Sequence, residues 1–402
     1  MMERVAHRVT CDLILVTWNH LPYTKQCVES ILRSTSLPYR LIIVDNGSAQ
    51  ETLTFLDELE AHQTGRVVTV RNQQNLGWVR AVNEGLRHSQ APYVCLLNND
   101  LIVTSGWLES MIAVAEADPF IGLVNPTYNR CGESFEAFYR SIPPHPLVGA
   151  RYIELNECNG ACFLIRRTVL EAIGTLDEAY GLGGLDDSDY SRRAVVAGFQ
   201  CARAKDAYVF HWENVTVNSI PRYWSEERRR NERLFASRWG ARRQLTMVVA
   251  ERDEERLTQQ LQEGLALGRL GLRIHIWALL PRHSPLHASN GRWQRGLVEH
   301  NNLKWTLSTY PHRALLDDLW IGWLSVRAAI NGFGRRWKRP MHQIQAFIVP
   351  SPRARVWLTV FRWFHGSPIF RDVRSCPIIE REAQWMQPIG QRTMPPHNTG
   401  HG

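Results

Sequence analysis

Short apolar runs that end on polar residues recur along the first half of the chain. Asp12-Leu13-Ile14-Leu15-Val16-Thr17-Trp18-Asn19, Arg40-Leu41-Ile42-Ile43-Val44-Asp45-Asn46-Gly47-Ser48 and Cys95-Leu96-Leu97-Asn98-Asn99-Asp100 share this design. Each reads as a buried strand whose carboxyl end carries polar side chains into the crevice where open α/β sheets bind ligands. Helical periodicity fills the gaps. The pattern predicts strand 12–16, helix 22–34, strand 40–44, helix 51–61, strand 66–71, helix 78–89, strand 93–97, helix 106–117 and strand 121–125. Strands alternating with helices at this spacing pair in parallel through right-handed crossovers, so the fold class is α/β with a mostly parallel central sheet. Pro22 fits a first helical turn, Ser105 is placed to cap the helix of Trp107 and Met111, and Asp118-Pro119 ends that helix.

Residues 126–157 break the rhythm with Pro126, Pro143, Pro144 and Pro146 and read as an irregular surface excursion. Order returns with strand 162–165, helix 167–173, a Gly-rich turn, an acidic helix start at 186–189 and strand 207–210, followed by a mixed-charge helix over 225–233. A second unit then begins. Strand 245–249, a helix with Leu257, Leu261 and Leu265 at four-residue spacing, and strand 272–277 form a βαβ unit, extended by a strand near 303–308, a helix near 313–330 and a strand near 346–349. The expected division is a catalytic domain over 1–240, an appended α/β region of unknown role over 241–375, and a disordered tail over 376–402.

Composition narrows the class. The chain has 402 residues, 44% hydrophobic and 21% charged, which suits folded domains, and no apolar stretch is long enough to span a membrane. With no secretory leader at its start, the expected address is the cytoplasm, with the inner face of the membrane as the variant. Eight scattered cysteines without a Cys-x-x-Cys pair fit reduced thiols better than a disulfide framework or a zinc site. The net charge of +8 is mostly arginine in the second half, interleaved with most of the fifteen tryptophans. A solvated basic face with tryptophans in the core is the plain reading, and peripheral contact with a membrane surface is the alternative. Nucleic acid is not expected as a partner.

The polar tips carry the candidate chemistry. Asp45 and Asp100 end strands, and Asp186-Asp187-Ser188-Asp189 packs three carboxylates into four residues, a crowding that raises the pKa of at least one. A helix N-terminus alone would also favour such acids. The segments Val16-Thr17-Trp18-Asn19, Val44-Asp45-Asn46-Gly47-Ser48, Asn75-Leu76-Gly77-Trp78, Leu97-Asn98-Asn99-Asp100, Asn159-Gly160-Ala161 and Asp186-Asp187-Ser188-Asp189 occur in the order found in family 2 glycosyltransferases. The chain resembles that family over about residues 10–215, and most closely its bacterial rhamnosyltransferase-like members.

The resemblance implies a GT-A fold, a nucleotide-diphospho-sugar donor, a divalent metal (Mg²⁺ or Mn²⁺), a glycan or lipid-linked acceptor of the cell-envelope kind, and inversion at the anomeric carbon. Residue by residue, it implies donor contacts at Thr17, Asn19, Asp45, Asn75, Gly77, Asn83, Asn98 and Asp100. Asn98 stands where the stricter Asp-x-Asp pattern has its first carboxylate. Asp100 is the implied metal ligand with His211; Asp187 is the general base, beside Asp186; Asn159, Gly160 and Asp189 lie on the acceptor side. Two rivals are a sugar nucleotidyltransferase, whose Gly-rich loop and nearby lysine are absent, and a non-catalytic scaffold built on a degenerate transferase domain.

Overall fold

The computed structural model describes residues 10–143, 150–213, 215, 221–240, 244–269, 271–280, 300–309, 319–328, 346–360, 367–371 and 376. Within them the chain divides into two compact units, the first running to Arg238 apart from Glu154–Asn156, the second beginning at Trp239.

The first unit holds strands β1 (Cys11–Thr17), β2 (Tyr39–Asp45), β3 (Val67–Arg71), β4 (Tyr93–Asn98), β5 (Leu101–Val103), β6 (Ile121–Tyr128), β7 (Tyr152–Leu155), β8 (Cys162–Arg166) and β9 (Gln200–His211). Its helices are α1 (Leu21–Ser34), α2 (Gln50–His62), α3 (Trp78–Arg87), α4 (Trp107–Ala117), α5 (Phe135–Ser141), α6 (Arg167–Ile173), α7 (Asp186–Val196) and α8 (Pro221–Trp239), the last ending at the unit boundary. The sheet runs β3-β2-β1-β4-β8-β6-β9-β5. The first four strands in that order are parallel, as the alternation predicts. Beyond them β8 is antiparallel to both β4 and β6, β9 is parallel to β6, and β5 is antiparallel to β9.

β1 is buried at all seven positions, including the carboxylate of Asp12. That charge is tolerated because Arg40 Nε lies 3.0 Å from Oδ1, and the backbone N–H groups of Gln90 and Ala91 donate to Oδ2 at 2.7 and 2.9 Å. It ties β1 to β2 and to the chain entering β4. Trp107, Leu108, Met111 and Val114 of α4 are buried in the core beneath the sheet.

Several expectations change. The 126–157 excursion contains structure: β6 continues through Pro126 to Tyr128, and α5 and β7 follow. Proline is accommodated because the β6–β9 register shifts between Asn125 and Thr127, where no N–H is required. Ser105 does not cap α4; Gly106, at φ 76°, occupies that position with no side-chain hydrogen bond, because the left-handed turn is open to glycine. The strand read at 207–210 is the end of β9, which begins at Gln200. All eight cysteines are free thiols, and only Cys131 is exposed.

The second unit holds β10 (Gln244–Ala250), α9 (Glu254–Arg269), β11 (Arg273–Leu280), β12 (Leu303–Thr309), α10 (residues 319–328), β13 (Ala346–Ile348), α11 (Pro352–Val360) and β14 (Ile369–Phe370). All five strands are parallel in the order β12-β11-β10-β13-β14. Leu257 and Leu261 of α9 pack on one face with Met247 and Ile276, while Ile321, Leu324 and Leu358 of α10 and α11 pack on the other with Val248 and Phe347. The rest of the helix read near 313–330, and the 376–402 tail apart from Cys376, lie outside the described residues. Among the described residues, no helix is long and apolar enough to cross a membrane.

Candidate active site

A cleft of about 320 Å³ opens in the first unit where the strands end, walled by Asn75, Gly77, Asn98, Asp100, Asn159, Gly160, Asp186, Asp187 and His211 among others. Nine predicted site residues, from five separate segments, thus meet around one cleft. This is the place where α/β sheets bind ligands, and its volume suits a small organic molecule.

One side is built by the tip of β2. Asn46 is buried and its side chain is fully used: Nδ2 donates to Asn75 Oδ1 at 2.8 Å, while Oδ1 accepts from Leu76 N at 3.0 Å and Asn72 Nδ2 at 3.1 Å. The loop 72–77 is thereby held against the strand end. Gly47 makes this possible, since at φ 77° a Cβ there would stand 2.7 Å from the Gln74 backbone. Beside it Asp45 is 1% exposed. Its Oδ2 accepts from Ser48 N at 3.3 Å, whereas Oδ1 has no hydrogen-bond partner among the described residues.

Asn98 and Asp100 flank the turn from β4 to β5. Asp100 is 5% exposed, and its Oδ1 lies 3.2 Å from His211 Nε2 without the alignment of a hydrogen bond. His211, the last residue of β9, is fixed through its backbone: its N–H donates to Asn129 Oδ1 at 2.8 Å, and its carbonyl accepts from Asn129 Nδ2 at 3.2 Å. Trp212 N donates to Asp100 O at 3.1 Å, locking the two strand ends together. An under-satisfied buried carboxylate oxygen beside an imidazole nitrogen fits a hard divalent cation, provided a ligand supplies the remaining oxygens. Among the described residues, no group of three or more His, Cys, Asp or Glu side chains is arranged to hold a metal unaided.

The acid cluster opens α7, as its sequence suggests, after Leu185 at φ 71°, an unfavourable conformation for a leucine that turns the chain sharply into the helix. The three carboxylates then diverge. Asp186 is 4% exposed and its Oδ1 accepts from Gly184 N at 2.7 Å. Burial, reinforced by the adjacent Asp187 charge, pushes its pKa up to about 7 against the hydrogen bonds from Gly184 and the Trp78 side chain. Asp187 is half-buried on the cleft wall; its Oδ2 accepts from Gly160 N at 2.8 Å and its Oδ1 from Ser188 N at 2.7 Å. Asp189 turns away. It is 1% exposed among Tyr180 Oη at 3.2 Å, Arg193 Nε at 3.0 Å and Arg238 Nη1 at 3.4 Å.

Five predicted site residues therefore do not line the cleft. Thr17 hydrogen-bonds Thr24 at 2.8 Å. Asn19 accepts from Ala49 N at 2.8 Å, where α2 begins, while its own N–H reaches Ser48 Oγ. Asp45, at the tip of β2 next to Asn46, is buried and absent from the lining. Asn83 clamps Leu176, accepting from its N–H at 3.1 Å and donating to its carbonyl at 2.9 Å. Asp189 lies in the ion-pair cluster just described.

Conversely, Asn125 escaped the sequence. It is 3% exposed, its Oδ1 accepts from Asn159 N at 2.6 Å, and its Nδ2 donates to Asn159 O at 2.9 Å and Cys162 O at 2.7 Å. It fixes the loop whose Gly160 N–H holds Asp187. The available signal was an Asn-Pro pair interrupting an apolar run. Trp78, not among the predicted site residues, also lines the cleft.

Residues 12–174 match the model of glycosyl transferase family 2. The chain is 26% identical over 225 residues to the uncharacterized protein y4gI of Sinorhizobium fredii, covering 51% of this chain and 24% of that one. It is 29% identical over 110 residues to the uncharacterized glycosyltransferase YwdF of Bacillus subtilis, covering 27% and 40%. The chain thus spans less than half the length of either relative. Among solved structures, GalNAc-T7 with UDP, GalNAc and Mn²⁺ overlaps 51% of this chain and 44% of its own, at 17% identity and a TM-score of 0.44.

Proposed function

Because residues 12–174 match the model of glycosyl transferase family 2, we propose that the first unit moves a sugar from a nucleotide-diphospho-sugar to an acceptor hydroxyl with inversion, Asp187 acting as general base. The observation that carries this reading is the carboxylate of Asp187, held on the cleft wall by the Gly160 and Ser188 N–H groups. Two N–H donors fix its orientation and stabilise its ionised form, the state in which it can take a proton. The acceptor oxygen bonds to the anomeric carbon as Asp187 removes its proton. The bond from that carbon to the distal phosphate oxygen breaks, and the nucleoside diphosphate departs with the electron pair.

Asp100 and His211 would hold the divalent cation, with donor phosphate oxygens completing its coordination. Bound there, it would neutralise charge developing on the leaving diphosphate. Asp45, buried with an unused oxygen at the strand tip, is the proposed acceptor for a hydroxyl or N–H of the nucleoside. Asn75 and Gly77 shape the donor wall, and Asn159 and Gly160 the acceptor side. The acceptor class we propose is a glycan or lipid-linked glycan.

A thermal-shift screen of nucleotide-diphospho-sugars with and without Mn²⁺ tests the donor assignment. A cognate donor at about 100 Kd stabilises by about 2.7 kcal/mol, and Asp100→Ala removes the Mn²⁺-dependent part. Stabilisation by no nucleotide-sugar, or equal metal-assisted stabilisation of parent and Asp100→Ala, would count against it.

A further inference from the structure

The second unit presents an unusual outer face. Eight large hydrophobic side chains are strongly exposed among the described residues, and five of them, Leu319, Trp320, Trp323, Val356 and Val360, lie on α10 and α11. Their exposures run from 40% to 67%. The two helices pack side by side, since a Cβ on Gly322 would stand 2.7 Å from Trp357 Cε2, and their inner residues Ile321, Leu324, Ala354 and Leu358 share one core cluster. The exposed residues are therefore not core positions turned outward by misfit. The core side is already filled. Trp320 and Trp323 stack at 5.6 Å between ring centroids, and the Arg327 guanidinium sits 4.7 Å from the Trp323 centroid.

Charge along the same stretch is one-sided. Residues 319–371 contain nine Arg and Lys and not one Asp or Glu, in a chain whose net charge is +8. The stretch thus carries the whole positive excess, including Arg335-Arg336-Trp337-Lys338-Arg339 later in the sequence than α10. Five of the fifteen tryptophans also fall in it.

We infer that the outer face of α10 and α11 docks this chain on an anionic lipid surface. Tryptophan rings favour the headgroup level, aliphatic side chains gain by entering the acyl boundary, and each nearby cation adds attraction to anionic headgroups. A polyphosphate backbone would use the cations but offers nothing to Leu319, Val356 and Val360. A membrane surface uses both. This surface lies on the second unit and stands independently of the transfer chemistry.

The test is co-sedimentation of the full chain with vesicles of phosphatidylcholine alone or mixed with phosphatidylglycerol. Binding should be at least about tenfold stronger to the anionic vesicles and should weaken as salt shortens the Debye length. Trp320→Ser with Trp323→Ser, and separately Val356→Ser with Val360→Ser, should each lower it by at least about fivefold without changing the melting temperature by more than a few degrees. Two pairs on two helices keep the test decisive if one pair perturbs folding. Equal recovery with both vesicle types, unchanged binding by both variants, or retention of duplex DNA without vesicle binding would overturn the inference.

Discussion

Asp186 and Asp187 are adjacent in sequence and opposite in environment. Asp186 is buried with its pKa pushed up to about 7, while Asp187 stands on the cleft wall with two backbone donors. The difference has a sign that experiment can read. The folded chain holds a proton on Asp186 up to about pH 7, whereas the unfolded chain releases it near its ordinary value of 3.8. Between those values the folded state binds more protons, so stability falls as pH rises through the window and levels off above it. Asparagine mimics the protonated carboxyl without titrating. Asp186→Asn should therefore gain stability relative to the parent on going from about pH 4 to about pH 7, measured by urea midpoints. Parallel profiles for the two proteins would place the buried charge elsewhere.

At the scale of elements, the β6 irregularity sets the side of the cleft proposed for the acceptor. Pro126 shifts the β6–β9 register, and beside it Asn125 ties the 159–162 loop that presents the Gly160 N–H to Asp187. Asn125→Ala takes the partner from both the carbonyl and the N–H of Asn159, while Cys162 O keeps Tyr128 Oη, which should cost about 1–3 kcal/mol in denaturant unfolding. It should also lower kcat by more than it raises the donor KM, because the loop holds the proposed base rather than the diphosphate. A loss of stability with unchanged turnover would make Asn125 purely structural.

The sequence made some of this legible. The runs ending at Thr17, Asp45 and Asn98 reported three parallel strands, since a doubly covered strand must be apolar throughout and can change character only at its tip. The acid cluster likewise reported the start of α7. Register and side-chain direction were not legible. Thr17, Asn83 and Asp189 look like site residues in one dimension, yet hydrogen bonds to Thr24, Leu176 and Arg193, partners fixed only on folding, turn them inward. The strand of β8 was read but not its antiparallel direction, and the α5–β7 segment was hidden because the prolines at 126, 143 and 144 mask strand and helix signals alike.

On the scale of the molecule, two α/β units each close their own core. The first gathers strand-end carboxylates and amides into one cleft, and the second carries exposed tryptophans on α10, a helix packed on its parallel five-stranded sheet. Donor binding and donor hydrolysis, in which water replaces the acceptor hydroxyl, can both be measured without knowing the acceptor. In full-length Asp187→Asn, calorimetry should show the donor bound about as tightly as in the parent, while hydrolysis falls by about 10²–10⁴-fold. Hydrolysis within about tenfold of the parent would remove Asp187 from the base role and contradict the proposed mechanism.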